Sequence, residues 1–567
     1  MAKRFLTFED GVVMHTSEST LKFDLSERVR KSHSETIHEA TPIQAMLKTL
    51  CGRRPLAILY PHFCFLLYAS RNLDHSRVMR CALIAVLCLG PLHAQDEEKK
   101  KDSQKEETTK ATHQDSVTID GKKIEYRATA ANLLLKNSKD ENRASIFHVS
   151  YERLGIKDRS KRPVMFAFNG GPGSSAVWLH LGALGPRIVP TTEDGTQTLP
   201  PPNAVVENPH SILDLVDLVF IDPVSTGFSR TAGDTKAGEF HSVNGDIKSV
   251  GDFIRRWVSE NDRWASPKFL LGESYGGIRA AGLSEHLQNE HGMTLNGVVM
   301  LSSLLDFRTL RTQRGDDLSY QIFLPAMAGI SHYHKKLAGD RNELVEKARA
   351  YAHGDYAKAL LKGAAISKDE KTAVAENLAK FTGLTAELFL ETNLRLSPTR
   401  YRKELLRSEG KVIGRFDART AWPAISRDSD YAGYDPSYSV VYGAFATGMN
   451  DYLSRTLNWQ GHHPYKILTG DVHPWDWNSN NRVLNMSSPL ENALRENPNL
   501  RVLVMVGYGD FATPASGMQY SVDHLFRIPE ARRKAIEYAW YEAGHMFYLN
   551  QPDLEKMRLD LVKFINN

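Results

Sequence analysis

Beyond residue 92 the sequence has no cysteine: Cys51, Cys64, Cys81 and Cys88 are the only four. The body of the chain therefore offers no disulfide and no thiolate metal site. It also lacks an excess of either charge. Lys and Arg number 71 against 67 acids, a net charge of +4. Residues 1–94 hold 12 basic and 8 acidic residues, which leaves 59 of each for the rest. A neutral body gives no electrostatic reason to expect nucleic acid or an anionic membrane as partner. No H-E-x-x-H, paired C-x-x-C or Walker loop occurs, and no internal repeat, so neither a metal nor an organic cofactor is expected. The apolar run Cys81 to Leu89 is too short to span a bilayer comfortably, and no stable membrane span is expected.

What the sequence does have is length and an apolar fraction to match. Its 567 residues are 41% apolar, enough for a large core. Residues 1–78 read poorly as a domain. Met79-Arg80, the apolar run from Cys81, and Gly90-Pro-Leu-His-Ala94 then follow the order of a secretory signal peptide. Residues 79–94 are therefore expected to direct export to the periplasm or the extracellular space, with a mature start near Gln95. On that reading residues 1–78 are translated leader; the alternative is a genuine extension with a buried apolar helix.

Residues 95–116 have almost no apolar content and are expected to form a disordered, charged linker. From Val117 the pattern becomes strand-like, suggesting an antiparallel opening to a sheet. Short apolar strands are predicted at Val164 to Phe168, Leu218 to Asp222, Phe269 to Leu271, Leu295 to Leu301 and Leu500 to Val506, with helical stretches between. Strands alternating with helices argue for a mainly parallel sheet covered on both faces. Residues 117–320 and 466–567 are expected to form this α/β core. Between them, residues 321–465 are rich in Ala, Leu, Lys and Glu and predict an inserted, mostly helical cap.

Chemistry concentrates at the strand ends. Gly272-Glu-Ser-Tyr-Gly276 is a G-x-S-x-G pattern between an apolar strand and a helical pattern, the context of a nucleophile elbow, with Ser274 at its tip. The strand ending at Val506 leads to Asp510, and His545 follows Gly544 on a predicted loop. Ser274, Asp510, His545 is the order of an α/β-hydrolase triad, in which His545 takes the serine proton and Asp510 fixes the imidazole. Tyr275, the residue after the nucleophile, supplies one oxyanion N–H. The glycine-rich loop Asn169-Gly-Gly-Pro-Gly173 is placed to supply the other through Gly171.

The motifs NGGPGSS (169–175), LGALGP (181–186), NPHSIL (208–213), DPVSTGFSR (222–230), GESYGG (272–277), GDF (509–511) and AGHM (543–546) together resemble the serine carboxypeptidase family, in a bacterial-type form. The resemblance covers Val117 to the C-terminus, cap excepted. It implies an α/β-hydrolase fold, Ser274, Asp510 and His545 as triad, and Tyr275 and Gly171 as oxyanion donors. It further implies that Asn169, Gly170 and Glu273 receive the free C-terminal carboxylate of a peptide substrate.

Four positions depart from the family pattern. Ala167 and Ser174 stand where members usually have Trp and Cys, and Ser225 replaces a glycine. Ala183 occupies the place of a glutamate that shares a proton with the residue matching Glu273. The expected activity is removal of C-terminal residues from peptides through an acyl-enzyme. An esterase or acyltransferase using the same triad is the alternative, and a binding protein on this scaffold a third. His210 and the aromatic run Asp471 to Trp477 stay outside the catalytic set; the run is expected to pack between cap and core.

Overall fold

One sheet carries the strands that lead into the glycine loop, the elbow, Asp510 and His545. The computed structural model describes residues 109–567 apart from 203 and 462. The expected leader, the signal peptide and residues 95–108 of the linker lie outside the described residues.

The chain enters through three antiparallel strands, β1 (Lys110–Ile119), β2 (Lys122–Lys136) and β3 (Asn142–Arg153). β1 begins at Lys110, inside the stretch 95–116 expected to be disordered. Its exposure alternates residue by residue, and its backbone pairs along its whole length with β2, from Lys110 opposite Ala131 to Ile119 opposite Lys122. Ladder hydrogen bonds and one half-buried face therefore hold it, without the apolar content that a core strand needs.

Seven short strands complete the ten-stranded sheet: β4 (Val164–Phe168), β5 (Asp217–Ile221), β6 (Lys268–Glu273), β7 (Gly297–Leu301), β8 (Arg501–Gly507), β9 (Ile536–Tyr541), and the pair Arg230–Thr231, which joins β3 off the main path. The order across the sheet is β1-β2-β3-β5-β4-β6-β7-β8-β9, and every pair from β5 to β9 is parallel. This is the α/β-hydrolase arrangement, with the elbow strand β6 at its centre.

Both faces of the parallel part are buried, which explains why these strands read as continuous apolar runs. Along β4, Met165 and Ala167 face one core, while Val164, Phe166 and Phe168 face the other. On the second face lie the helices α1 (Val243–Glu260), through Phe253, Ile254 and Trp257, and α2 (Tyr275–His291), through Ile278, Leu283 and Leu287.

Between β7 and β8 the chain leaves the sheet and builds a third core. Its helices include α3 (Leu318–Tyr333), α4 (Arg341–Tyr351) and α5 (Lys368–Thr382), with a small hairpin of Lys411–Ile413 and Ala421–Pro423, and the same stretch of chain also carries α6 (Pro436–Asp451). α6 turns back to the sheet and adds Phe445 and Met449 to the first core. The final helix α7 (Gln551–Asn566) packs there too, through Leu554, Met557, Leu561 and Phe564. Among the described residues no helix is long and apolar enough to cross a membrane.

Candidate active site

Ser274 joins β6 to α2 with φ 60° and ψ −128°, a conformation that costs a non-glycine residue about 1–3 kcal/mol. The turn is this tight because strand and helix touch through backbone. A Cβ on Gly272 would lie 2.1 Å from the Gly276 carbonyl oxygen. Only glycine fits there, which is the physical content of the G-x-S-x-G spacing. The turn is tied to the next strand, since Ser274 N–H donates to Leu301 O at 3.0 Å and Ser303 Oγ donates to Ser274 O at 3.0 Å.

Asp510 and His545 follow β8 and β9, so all three sequence-predicted residues share the carboxyl edge of the sheet. Asp510 is 1% exposed and His545 2%. His545 Nδ1 lies 2.8 Å from Asp510 Oδ2. Asp510 Oδ1 accepts from the N–H groups of Ala512 (2.7 Å) and Thr513 (2.8 Å). Three N–H groups thus converge on one carboxylate, and Thr513 Oγ1 lies 2.8 Å from Oδ2 with one proton to share between that oxygen and the Ser302 carbonyl. The same hydroxyl lies 3.0 Å from His545 Nδ1 and 2.7 Å from Ser302 O. With Nδ1 occupied in this way, Nε2 is the nitrogen left for Ser274. No hydrogen bond joins Ser274 Oγ to the imidazole among the described residues.

The imidazole is also held from the insertion. Phe416 stacks on it at 5.2 Å and 24°, and Phe416 O accepts the His545 N–H at 2.5 Å. Sequence reasoning missed Thr513 and Phe416. Thr513 stands only three residues after Asp510, but its contacts with Ser302 and His545 come from other segments, and Phe416 reaches the site across a long stretch of chain.

The loop after β4 lies against the elbow. A Cβ on Gly170 would come within 2.4 Å of the Tyr275 nitrogen, so the predicted donors Gly171 and Tyr275 belong to one backbone cluster. Neither N–H has a hydrogen-bond partner among the described residues, leaving both able to meet an anionic oxygen. A buried cation fixes the loop to the elbow helix. Arg279, 1% exposed, donates to Asn169 O (2.7 Å) and Asp246 Oδ2 (2.8 Å) and lies over the Tyr275 ring. Burial pushes the Asp246 carboxyl above its usual range, and Arg279 opposes that rise.

Glu273, beside the serine, is 3% exposed. Burial lifts its pKa from 4.5 to about 7, against the lowering effects of His545, of a Tyr548 hydrogen bond and of Asn169; the Asp510 charge adds to the rise. Tyr548 OH donates to Glu273 Oε2 at 2.8 Å. Asn169 Oδ1 accepts from Leu179 N–H at 3.2 Å, while its buried Nδ2 faces Glu273 closely enough to lower the carboxyl's pKa but makes no hydrogen bond of normal length. The structure therefore brings Asn169, Gly170 and Glu273 together around the elbow. Ala183 is buried in the turn His180–Leu184 and brings no second carboxyl.

The aromatic run sits elsewhere than expected. Trp475 and Trp477 pack edge-on against Tyr275, at 5.6 and 6.1 Å, and so buttress the elbow rather than a cap–core seam. Ser225 adopts φ 74°, a glycine-like conformation, and its Oγ lies 2.9 Å from His241 Nε2. His210 lines a separate cavity with Asp120, Glu555 and Arg558.

A family model described as serine carboxypeptidase matches residues 134–545. Serine carboxypeptidase-like 5 of Arabidopsis thaliana is 25% identical over 220 residues, covering 38% of this chain and 46% of that protein. Serine carboxypeptidase-like 34 of the same plant is 29% identical over 184 residues, covering 29% and 33%. The chain thus spans less than half the length of these relatives. Plant relatives give no support to a bacterial-type form. Among solved structures, the prohormone-processing carboxypeptidase Kex1(Δ)p of Saccharomyces cerevisiae aligns with TM-score 0.49 and 16% identity over 78% of this chain and 91% of that one.

Proposed function

The chain belongs to the serine carboxypeptidase family, and from that membership we propose that it removes C-terminal residues from peptides through an acyl-enzyme. Ser274 Oγ attacks the last peptide carbonyl while His545 Nε2 takes its proton. Asp510, acceptor to His545 Nδ1, stabilises the imidazolium. The oxyanion forms against the N–H groups of Tyr275 and Gly171, and His545 returns the proton to the departing amine. Water then repeats the sequence on the acyl-enzyme.

One observation carries the carboxypeptidase reading. A buried carboxyl with pKa near 7 stands one residue from the serine, beside an Asn169 Nδ2 that makes no hydrogen bond of normal length. A neutral Glu273 can donate to a substrate carboxylate, whereas an ionised one repels it. Asn169 and the Gly170 backbone supply the remaining contacts.

The α/β core is assigned to residues 117–320 and 466–567, and residues 321–465 serve as the cap over the site. The substrates are peptides with a free C-terminus. The Met79 to Ala94 pattern supports export to the periplasm or the extracellular space. Ala183, in place of a proton-sharing glutamate, favours one second reading, an esterase or acyltransferase.

The test compares one peptide with a free and an amidated C-terminus. Preference for the free acid, with turnover and fluorophosphonate labelling both lost in Ser274→Ala, is expected; removal of a triad member leaves only ~10³–10⁴-fold catalysis over water. Equal cleavage of acid and amide would replace the carboxypeptidase with a broader hydrolase.

A further inference from the structure

The carboxyl of Glu273 has two oxygens, and only one of them is committed. Tyr548 OH takes Oε2 at 2.8 Å, and that is the one hydrogen bond the phenol makes among the described residues. Tyr548 is fully buried, as is Asn169, whose Nδ2 stands nearby with no hydrogen bond of normal length. The phenol belongs to the turn Phe547–Leu549, directly after the loop of His545. Its ring packs on the backbone of Gly182, where a Cβ would lie 2.8 Å from Tyr548 Cε2. Gly182 adjoins Ala183, the position from which the second glutamate is missing.

We propose that Tyr548 is the positioning residue that keeps the Glu273 proton on Oε1, the oxygen left free to donate to a substrate carboxylate. The proposal rests on the carboxypeptidase reading. A neutral carboxyl can carry its proton on either oxygen. With the proton on Oε2, Glu273 would donate to the phenol oxygen, and the phenol's own proton would be buried without an acceptor, a costly arrangement. On Oε1 the same proton leaves Oε2 as a bare acceptor for Tyr548, and both protons are used once a substrate carboxylate arrives. A second glutamate in this position can donate or accept and must itself hold or share a proton. A phenol avoids that requirement. Burial first, then the neighbouring Glu273, hold the Tyr548 pKa well above its ordinary value of 10, so it stays a donor across the working range. The other ionisable groups that act on Glu273, His545 and Asp510, stand on the triad side.

The test uses full-length protein carrying Ser274→Ala, so that binding is read without turnover. Calorimetry measures the dissociation constants of an acyl-dipeptide and of its C-terminal amide at pH ~5, where a carboxyl of raised pKa is neutral. The parent is expected to prefer the free acid. Tyr548→Phe should reduce that preference about tenfold, the usual worth of a hydrogen bond to a charged or buried polar partner. Glu273→Gln should keep the preference and make it independent of pH, because Tyr548 then holds the amide oxygen and turns its N–H groups to the ligand. Adding Tyr548→Phe to that variant should lose the preference again. An acid preference that survives Tyr548→Phe in both backgrounds overturns the assignment while leaving the carboxypeptidase reading intact. A loss of equal size for acid and amide marks a merely structural role and overturns it too. A parent that binds acid and amide alike overturns the carboxypeptidase reading, and the assignment with it.

Discussion

Glu273→Gln should make the protein more stable, and by an amount that grows with pH. The cause is proton linkage. In the unfolded chain Glu273 has its ordinary pKa of 4.5, and in the fold burial raises it to about 7. Well below pH 4.5 both states hold the proton, so the group adds no pH dependence. As pH climbs through 4.5 the unfolded chain ionises freely while the folded chain keeps its proton, and stability falls. Above about pH 7 both are ionised and the loss levels off. The 2.5-unit difference between those values corresponds to about 3 kcal/mol at its plateau. Between pH ~5 and pH ~8 the wild type should lose roughly 2.5 kcal/mol that a glutamine does not lose. Urea unfolding of both proteins across that range provides the measurement. The quantity of interest is the difference between the two curves, in which every other titrating group cancels. Curves that run parallel from pH ~5 to ~8 would refute a neutral, buried Glu273, and with it the basis for carboxylate recognition.

Two further outcomes follow from the geometry. Thr513→Val keeps the shape of the side chain but removes a donor to Asp510, so kcat should fall about tenfold with little change in KM; steady-state kinetics retaining kcat within about twofold would exclude a role in holding the dyad. Gly272→Ala would place a methyl 2.1 Å from the Gly276 carbonyl and should destabilise the fold by more than about 4 kcal/mol; denaturant unfolding close to the wild type would mean that the elbow can relax.

The elbow, the glycine loop beside it and the placement of Ser274, Asp510 and His545 at one edge of the sheet were legible in the sequence because each is a local constraint. A strand that ends in glycine, a serine held at positive φ and an acid just past an apolar strand leave marks within a few residues of one another. The partners that hold those groups left no such mark. Thr513 could be suspected from its place three residues after Asp510, but its contact with Ser302 depends on the pairing of β7 with β8. Arg279 stands in the elbow helix itself, yet its partners Asp246 and Asn169 come from two other segments. Tyr548 follows His545 closely, and only the packing against Gly182 gives it meaning. β1 was misread for a related reason: an edge strand held by its ladder needs so little apolar content that composition alone labels it linker.

Phe416 belongs to the insertion, yet its carbonyl receives the backbone N–H of His545 and its ring lies on the imidazole. The consequence concerns modularity. Excision or exchange of residues 321–465 between relatives would remove part of what holds the His545 imidazole along with the insertion. A library that shuffles this insertion would therefore exchange the packing on His545 in the same step. Grafts that retain residues 415–418 of the recipient should separate the two, and those four positions become the natural seam for recombination.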